Sequence, residues 1–266
     1  IGHSPDVQQM TVPKTQTCIF CREVTTPPYS TEHVIPRTLF CPEELVLANG
    51  EVCGTCNNRL SRVDEKLTDA LRAWAPFMGH RTKKGKWPRA RLPNATVART
   101  EEHALSIDIN EFSDEGLRVE FVGPEDAPTE LKVRFKVAID ERVARGLHKV
   151  SLEMLAYLLG PREALRSVYD AARDYAMGRG HPFRPILHLR REPGADKLQH
   201  GAVSVGNARL PGSQISSRFV LIWLFGSCFL VALEGQADMA RSIGKMLNTT
   251  RERCVTFDQR GIICPP

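Results

Sequence analysis

The chain has 266 residues, of which 42% are apolar and 25% charged, a balance that fits a globular protein and excludes a disordered or fibrous one. A net charge of +5 and a pI near 8.8 suit a polyanionic partner but fall far short of a histone-like protein. The longest apolar run, residues 219–233, is shorter than the roughly 20 residues a membrane-spanning helix needs, so no membrane partner is expected.

The start at Ile1 reads as a trimmed or processed end, and the first dozen residues lack the apolar centre of a secretion signal. Residues 1–80 form the first expected unit. It contains two Cys-x-x-Cys pairs, the turn residues Pro27-Pro28 and Asn49-Gly50, and then a helical stretch over about 53–74. In that stretch Leu60, Val63, Leu67, Ala70, Leu71 and Trp74 recur every three or four residues, which gives one apolar face. Residues 81–93 read as a basic linker with Arg81, Lys83, Lys84, Lys86, Arg89, Arg91 and Trp87 and no acid. Such a run can neutralise phosphates and stack a base, or simply be a solvated connection.

From residue 94 to 266 a second, mixed α+β unit is expected. Alternation over 105–109, 117–121 and 131–137 predicts three strands of one antiparallel meander. Helical spacing follows over 141–159, ended by Gly160-Pro161, and a second helix is expected over 162–177. Strands near 186–189 and 202–205, a hairpin over 219–233 turning at Gly226-Ser227, and a helix over 236–246 complete the α+β reading.

Eight cysteines scattered at random over 266 residues would give roughly a quarter of one Cys-x-x-Cys pair, whereas the chain has Cys18/Cys21 and Cys53/Cys56. Four thiolates on two tight turns can surround a Zn²⁺ ion tetrahedrally and leave no open position, so a structural zinc is expected, and with it a reducing, cytoplasmic setting. Between the pairs stands Thr31-Glu32-His33-Val34-Ile35-Pro36, and directly after the second pair stands Asn57-Asn58. A carboxylate and an amide oxygen can bind a hard cation such as Mg²⁺ or Mn²⁺, while an imidazole with a pKa near 6.5 takes a proton from water.

In this order of motifs, CIFC, EHVIP and VCGTCNN, the chain resembles the HNH endonuclease family. The resemblance covers about residues 18–67 and implies a ββα-metal module in which His33 is the general base. It further implies that Glu32 and Asn57 hold the catalytic Mg²⁺ or Mn²⁺. The family's middle Asn has its nearest match in Asn49, which could equally be an Asn-Gly turn, and Asn58 could take the part of Asn57 if the helix starts one residue later. Glu32 replaces the Asp that is frequent in the family. A fainter resemblance of residues 148–180 to the region that follows the module in some bacterial HNH proteins transfers no activity.

Arg59 and Arg62, on the first turns of the helix, together with Lys83, Lys84 and Lys86, are expected to touch nucleic acid, or else to be solvated. The function so implied is a divalent-metal-dependent endonuclease acting on DNA, with RNA left open. The alternative is a zinc-containing nucleic-acid-binding adaptor without cleavage. Residues 94–266 would recognise the target or, in a host-defence role, regulate cutting, and a homodimer is left open. The remaining histidines and Cys41, Cys228, Cys254 and Cys264 show no ligand spacing.

Overall fold

The computed structural model describes residues 16–39, 45–71, 75–76, 85–101, 104–110, 117–122, 130–135, 140–179, 186–189, 202–209, 216–224, 227–234 and 258–262. Among them the chain is a mixed α+β protein with several small sheets. Strands β1 (Gln16–Thr17) and β2 (Val24–Thr25) pair antiparallel, as do β3 (Glu32–His33) and β4 (Val46–Leu47). Helix α1 (Gly54–Leu71) follows, inside the expected span 53–74, of which residues 72–74 lie outside the described residues. Leu60, Val63, Leu67 and Leu71 are buried, so the three- and four-residue spacing marks the face that packs.

Strands β5 (Arg89–Arg91), β6 (Ala95–Arg99) and β7 (Leu105–Ile109) form one antiparallel sheet, and β8 (Leu117–Val122) with β9 (Glu130–Phe135) forms another. The expected single meander is thus two sheets, because β6, directly after the expected linker, pairs with β7, and linker residues Arg89–Arg91 pair on the far side of β6. Arg89, Ala90 and Arg91 alternate exposed, buried, exposed, and the turn back to β6 closes with Leu92 N–H donating to the Ala95 carbonyl at 2.7 Å. β7 is therefore partnered by β6 rather than by β8.

Helix α2 (Glu141–Leu159) starts where the Asp140 side chain accepts from the amides of Arg142 and Val143, both at 2.9 Å. It stops at Gly160, whose φ of 92° favours glycine, and Pro161 follows. From Val143 to Ala156 nearly every side chain is buried, so α2 is the central helix of the protein. The expected helix 162–177 is broken into α3 (Pro161–Ala164), a 3₁₀ turn (Ser167–Tyr169) and α4 (Asp170–Ala176). Two carbonyls that a continuous helix would use are taken by guanidinium groups. Ala164 O accepts from Arg173 at 2.6 Å, and Leu165 O accepts from Arg22 at 3.2 Å.

The last sheet orders β10 (Ile186–Leu189), β13 (Ser227–Ala232), β12 (Ser216–Leu224), β11 (Ala202–Arg209) and β14 (Asp258–Ile262), all antiparallel. The expected hairpin is β12 paired with β13, from Phe219 opposite Ala232 to Leu224 opposite Ser227. β14 was not anticipated, and the expected helix 236–246 lies outside the described residues. No described helix is long and apolar enough to cross a membrane.

One buried cluster runs through all of these parts. Ile19, Phe20, Ile35, Leu60 and Leu67 of the first segment join Leu147, Val150 and Leu155 of α2, which in turn meet Val220, Ile222, Phe229 and Val231 of the large sheet. Residues on the two sides of the expected 81–93 boundary therefore share a core. α1 and α2 approach closely at Gly146, where a Cβ would stand 2.9 Å from the Leu67 Cβ. Gly146→Val is accordingly expected to destabilise the fold by about 1–3 kcal/mol through overpacking. Urea denaturation measures this, and an unchanged midpoint would show that the helices are not tightly apposed.

Candidate functional site

Cys18 and Cys21 sit in the turn between β1 and β2. The turn is closed by Cys18 N–H donating to the Glu23 carbonyl and Arg22 N–H donating to the Cys18 carbonyl, both at 2.9 Å. Arg22 itself has φ 66°, the left-handed conformation needed to bring the chain around. Cys53 and Cys56 lie at the start of α1, with Cys56 N–H donating to Cys53 Sγ and Cys53 N–H donating to Cys18 Sγ, each at 3.4 Å. All four sulfur atoms lie within 4.8 Å of one another, and Cys21 Sγ is 3.7 Å from Cys53 Sγ. A tetrahedral zinc with Zn–S near 2.3 Å places its sulfurs about 3.8 Å apart. The cluster is thus able to hold a metal ion such as zinc.

The charge distribution among the thiols fits that use. A hydrogen bond from the Cys56 thiol holds Cys18 down at about 4 despite burial. Donating that bond, together with burial, pushes Cys56 up, and burial pushes Cys21 up to about 11. One thiolate is stabilised by protons that a metal ion would displace.

The strand between the cysteine pairs carries Glu32 and His33 on opposite faces, as strand alternation dictates. His33 is half-buried, whereas Glu32 is only 4% exposed and turns toward α2. There it meets Lys149, wholly buried, whose Nζ lies 2.5 Å from Glu32 Oε1, 2.8 Å from Asp64 Oδ2 and 3.2 Å from Glu153 Oε2. Burial alone would lower the Lys149 pKa, but Glu153, Asp64 and Glu32 together raise it above its ordinary value, so the ammonium stays charged. Burial pushes Asp64 up to about 6 against the pull of Lys149, and it pushes the enclosed Glu153 well above the carboxylate range.

Asn57 reaches the same strand from the other side. Its Nδ2 donates to the Thr31 carbonyl at 3.2 Å, which ties the start of α1 to the residue before Glu32. Asn58 is exposed, with its carbonyl accepting from Ser61. Asn49 is engaged elsewhere. Its backbone N–H and Nδ2 donate to Glu51 at 2.7 and 3.3 Å, beside Gly50 at φ +86°, where a Cβ would collide with Thr25 and Tyr29. Arg59 and Arg62 line a groove of about 340 Å³ together with Val63 and Lys66 of α1 and Arg142 and Arg145 of α2. No acidic side chain lines it. Lys86 is exposed ahead of β5, and Lys83 and Lys84 lie outside the described residues.

The structure thus ties the side chain of Asn57 to Thr31, next to Glu32 and His33, which face opposite ways, and sets Arg59 and Arg62 farther along the same helix. The geometry does not suit Glu32 as a first-sphere ligand of Mg²⁺ or Mn²⁺, because one carboxylate oxygen is held by a buried ammonium and the residue is almost fully enclosed. Lys149, Glu153, Arg142 and Arg145 lie outside the motif order, and Asp64, which reads from helical spacing as a solvated residue of α1, pairs with Lys149 instead. A Lys–Glu pair at i, i+4 within an otherwise apolar helical stretch was the available signal for two of them. No family model matches the chain, no curated protein matches it, and no solved structure matches it.

Native mass spectrometry of the full chain is expected to count one zinc ion. Cys56→Ser should lose the ion and melt roughly 10 °C or more lower; equal metal content and melting in the two proteins would exclude the site. Asp64 supplies a second check. Because its value rises on folding, its contribution is fully present below 3.8 and is lost as the pH rises through about 6. Wild type should therefore lose stability relative to Asp64→Asn between pH 4 and pH 6, and a flat difference across that range would contradict the assigned burial.

Proposed function

We propose that the chain is an endonuclease of the HNH kind, hydrolysing phosphodiester bonds in DNA with His33 as general base. The reading is supported above all by the Glu32–His33 strand being held, through Thr31 and Asn57, against the start of a helix that also carries Arg59, Arg62 and Lys66. His33 takes a proton from water as the water oxygen bonds to phosphorus. The bond from phosphorus to the leaving 3′ oxygen then breaks, that oxygen takes a proton from solvent, and a 5′ phosphate results. The groove cations hold flanking phosphates and so present the scissile bond. The cysteine cluster, filled by zinc, fixes both ends of the segment that carries His33. Glu32 serves here as an anchor of the strand rather than as a ligand, and residues 94–266 contribute α2 and with it Arg142 and Arg145 of the groove.

A second reading, a nucleic-acid-binding adaptor without cleavage, is favoured by one specific observation, the engagement of Glu32 by Lys149. Supercoiled plasmid incubated with Mg²⁺, with Mn²⁺ or with neither separates the two. Wild type is expected to nick or linearise it, and His33→Ala to cut about 10²- to 10⁴-fold more slowly with zinc content unchanged. Equal cutting by the variant would remove His33 from the chemistry, and retention of DNA without any cutting by wild type would leave the adaptor.

A further inference from the structure

We propose that Lys149 is a positioning residue for His33, engaging the Glu32 carboxylate that the family resemblance would assign to a divalent ion. The inference rests on the nuclease reading above but adds a residue from outside the motif that prompted it.

Lys149 lies in the middle of α2, with no exposed surface. Removing an ammonium from water is costly, and a well-packed apolar side chain of similar volume would serve stability as well or better. Its burial calls for another explanation, and the geometry offers one. An ammonium has three N–H donors, and two of them reach carboxylates of other elements, Glu32 of β3 and Asp64 of α1, while Glu153 lies one turn further along α2 itself at 3.2 Å. The strand β3 is only two residues long and pairs with an equally short β4, so the ladder alone fixes its orientation poorly. Two side chains make up the deficit. Asn57 holds the carbonyl of Thr31, Lys149 holds the carboxylate of Glu32, and His33 is the next residue in the chain. A shift of Glu32 therefore becomes a shift of the imidazole, without Lys149 touching substrate.

The test uses the 266-residue chain as wild type, as Glu32→Gln, and as the double variant Glu32→Gln/Lys149→Met, which removes both ends of the Glu32–Lys149 pair. Turnover is expected to fall about 10- to 100-fold in both variants, with KM for an oligonucleotide within about threefold of wild type. The Mn²⁺ concentration giving half-maximal cleavage should stay within about twofold in Glu32→Gln, since a true ligand would shift it about tenfold or more. That larger shift, or wild-type turnover in a folded double variant, would overturn the proposal. If wild type does not cut at all, the nuclease reading fails, and the positioning role of Lys149 is judged on the imidazole resonances of His33 alone. Their displacement in the double variant supports it, and their identity with wild type refutes it.

Discussion

Strands of two residues cannot hold a shape by themselves. β1 to β4 each contribute two residues, and such pairs exchange too few hydrogen bonds to be stable in isolation. Everything around the Glu32–His33 strand therefore depends on cross-links from elsewhere in the chain. The four cysteine sulfurs join the first turn to the start of α1, and Asn57 joins that helix start to Thr31. Arg173, buried in α4, donates from Nε to the Ile19 carbonyl at 2.6 Å between the first two cysteines, while Arg22 on the same turn reaches Leu165 and Asp170. The cysteine turn is thus clamped from outside as well as from within.

Helix α2 is the element through which these constraints meet. It is enclosed by α1, by α3 and α4, and by the large sheet, and its buried surface includes charged as well as apolar side chains. A wholly apolar α2 could fill the same space. What it could not do is hold the carboxylates of β3 and α1 in register, since a charge in the interior strengthens every pairing it makes and makes every mispairing costly. The acids at Lys149 and the cations of the α1–α2 groove differ in exposure rather than in place along the helices. Arg59, Arg62, Lys66 and Arg142 face water, where a guanidinium or ammonium can exchange its counterions for phosphates, whereas Lys149 cannot.

Much of the local architecture was legible in the amino-acid pattern. The spans of α2 and of the strands at 105–109 and 117–122 follow from helical spacing and alternation, and the hairpin of β12 and β13 from a run of Val, Ile, Phe and Trp residues, although Leu105 is exposed. The expected helix over 162–177 failed where two guanidinium groups, Arg173 within the same span and Arg22 from the first segment, captured its carbonyls, which no local propensity registers. The expected linker failed at Arg89–Arg91 for a related reason, since a three-residue strand is defined by the partner it pairs with more than by its own composition.

The cysteine cluster was determined by the sequence alone. A Cys-x-x-Cys turn presents both sulfurs from covalently adjacent backbone, so spacing is nearly sufficient to specify the ligand geometry, and two such turns need only to meet. The partner of Glu32 was decided by tertiary structure. Lys149 stands 117 residues away, and only the packing of α2 against α1 brings its ammonium to that carboxylate. The same holds for the groove, in which Arg59 and Arg62 were visible as charges on a helix while Arg142 and Arg145 became their neighbours through a helix contact set by Gly146 and Leu67. Covalent spacing acts over a few bonds, whereas an ion pair between distant segments exists only where the fold places its two ends.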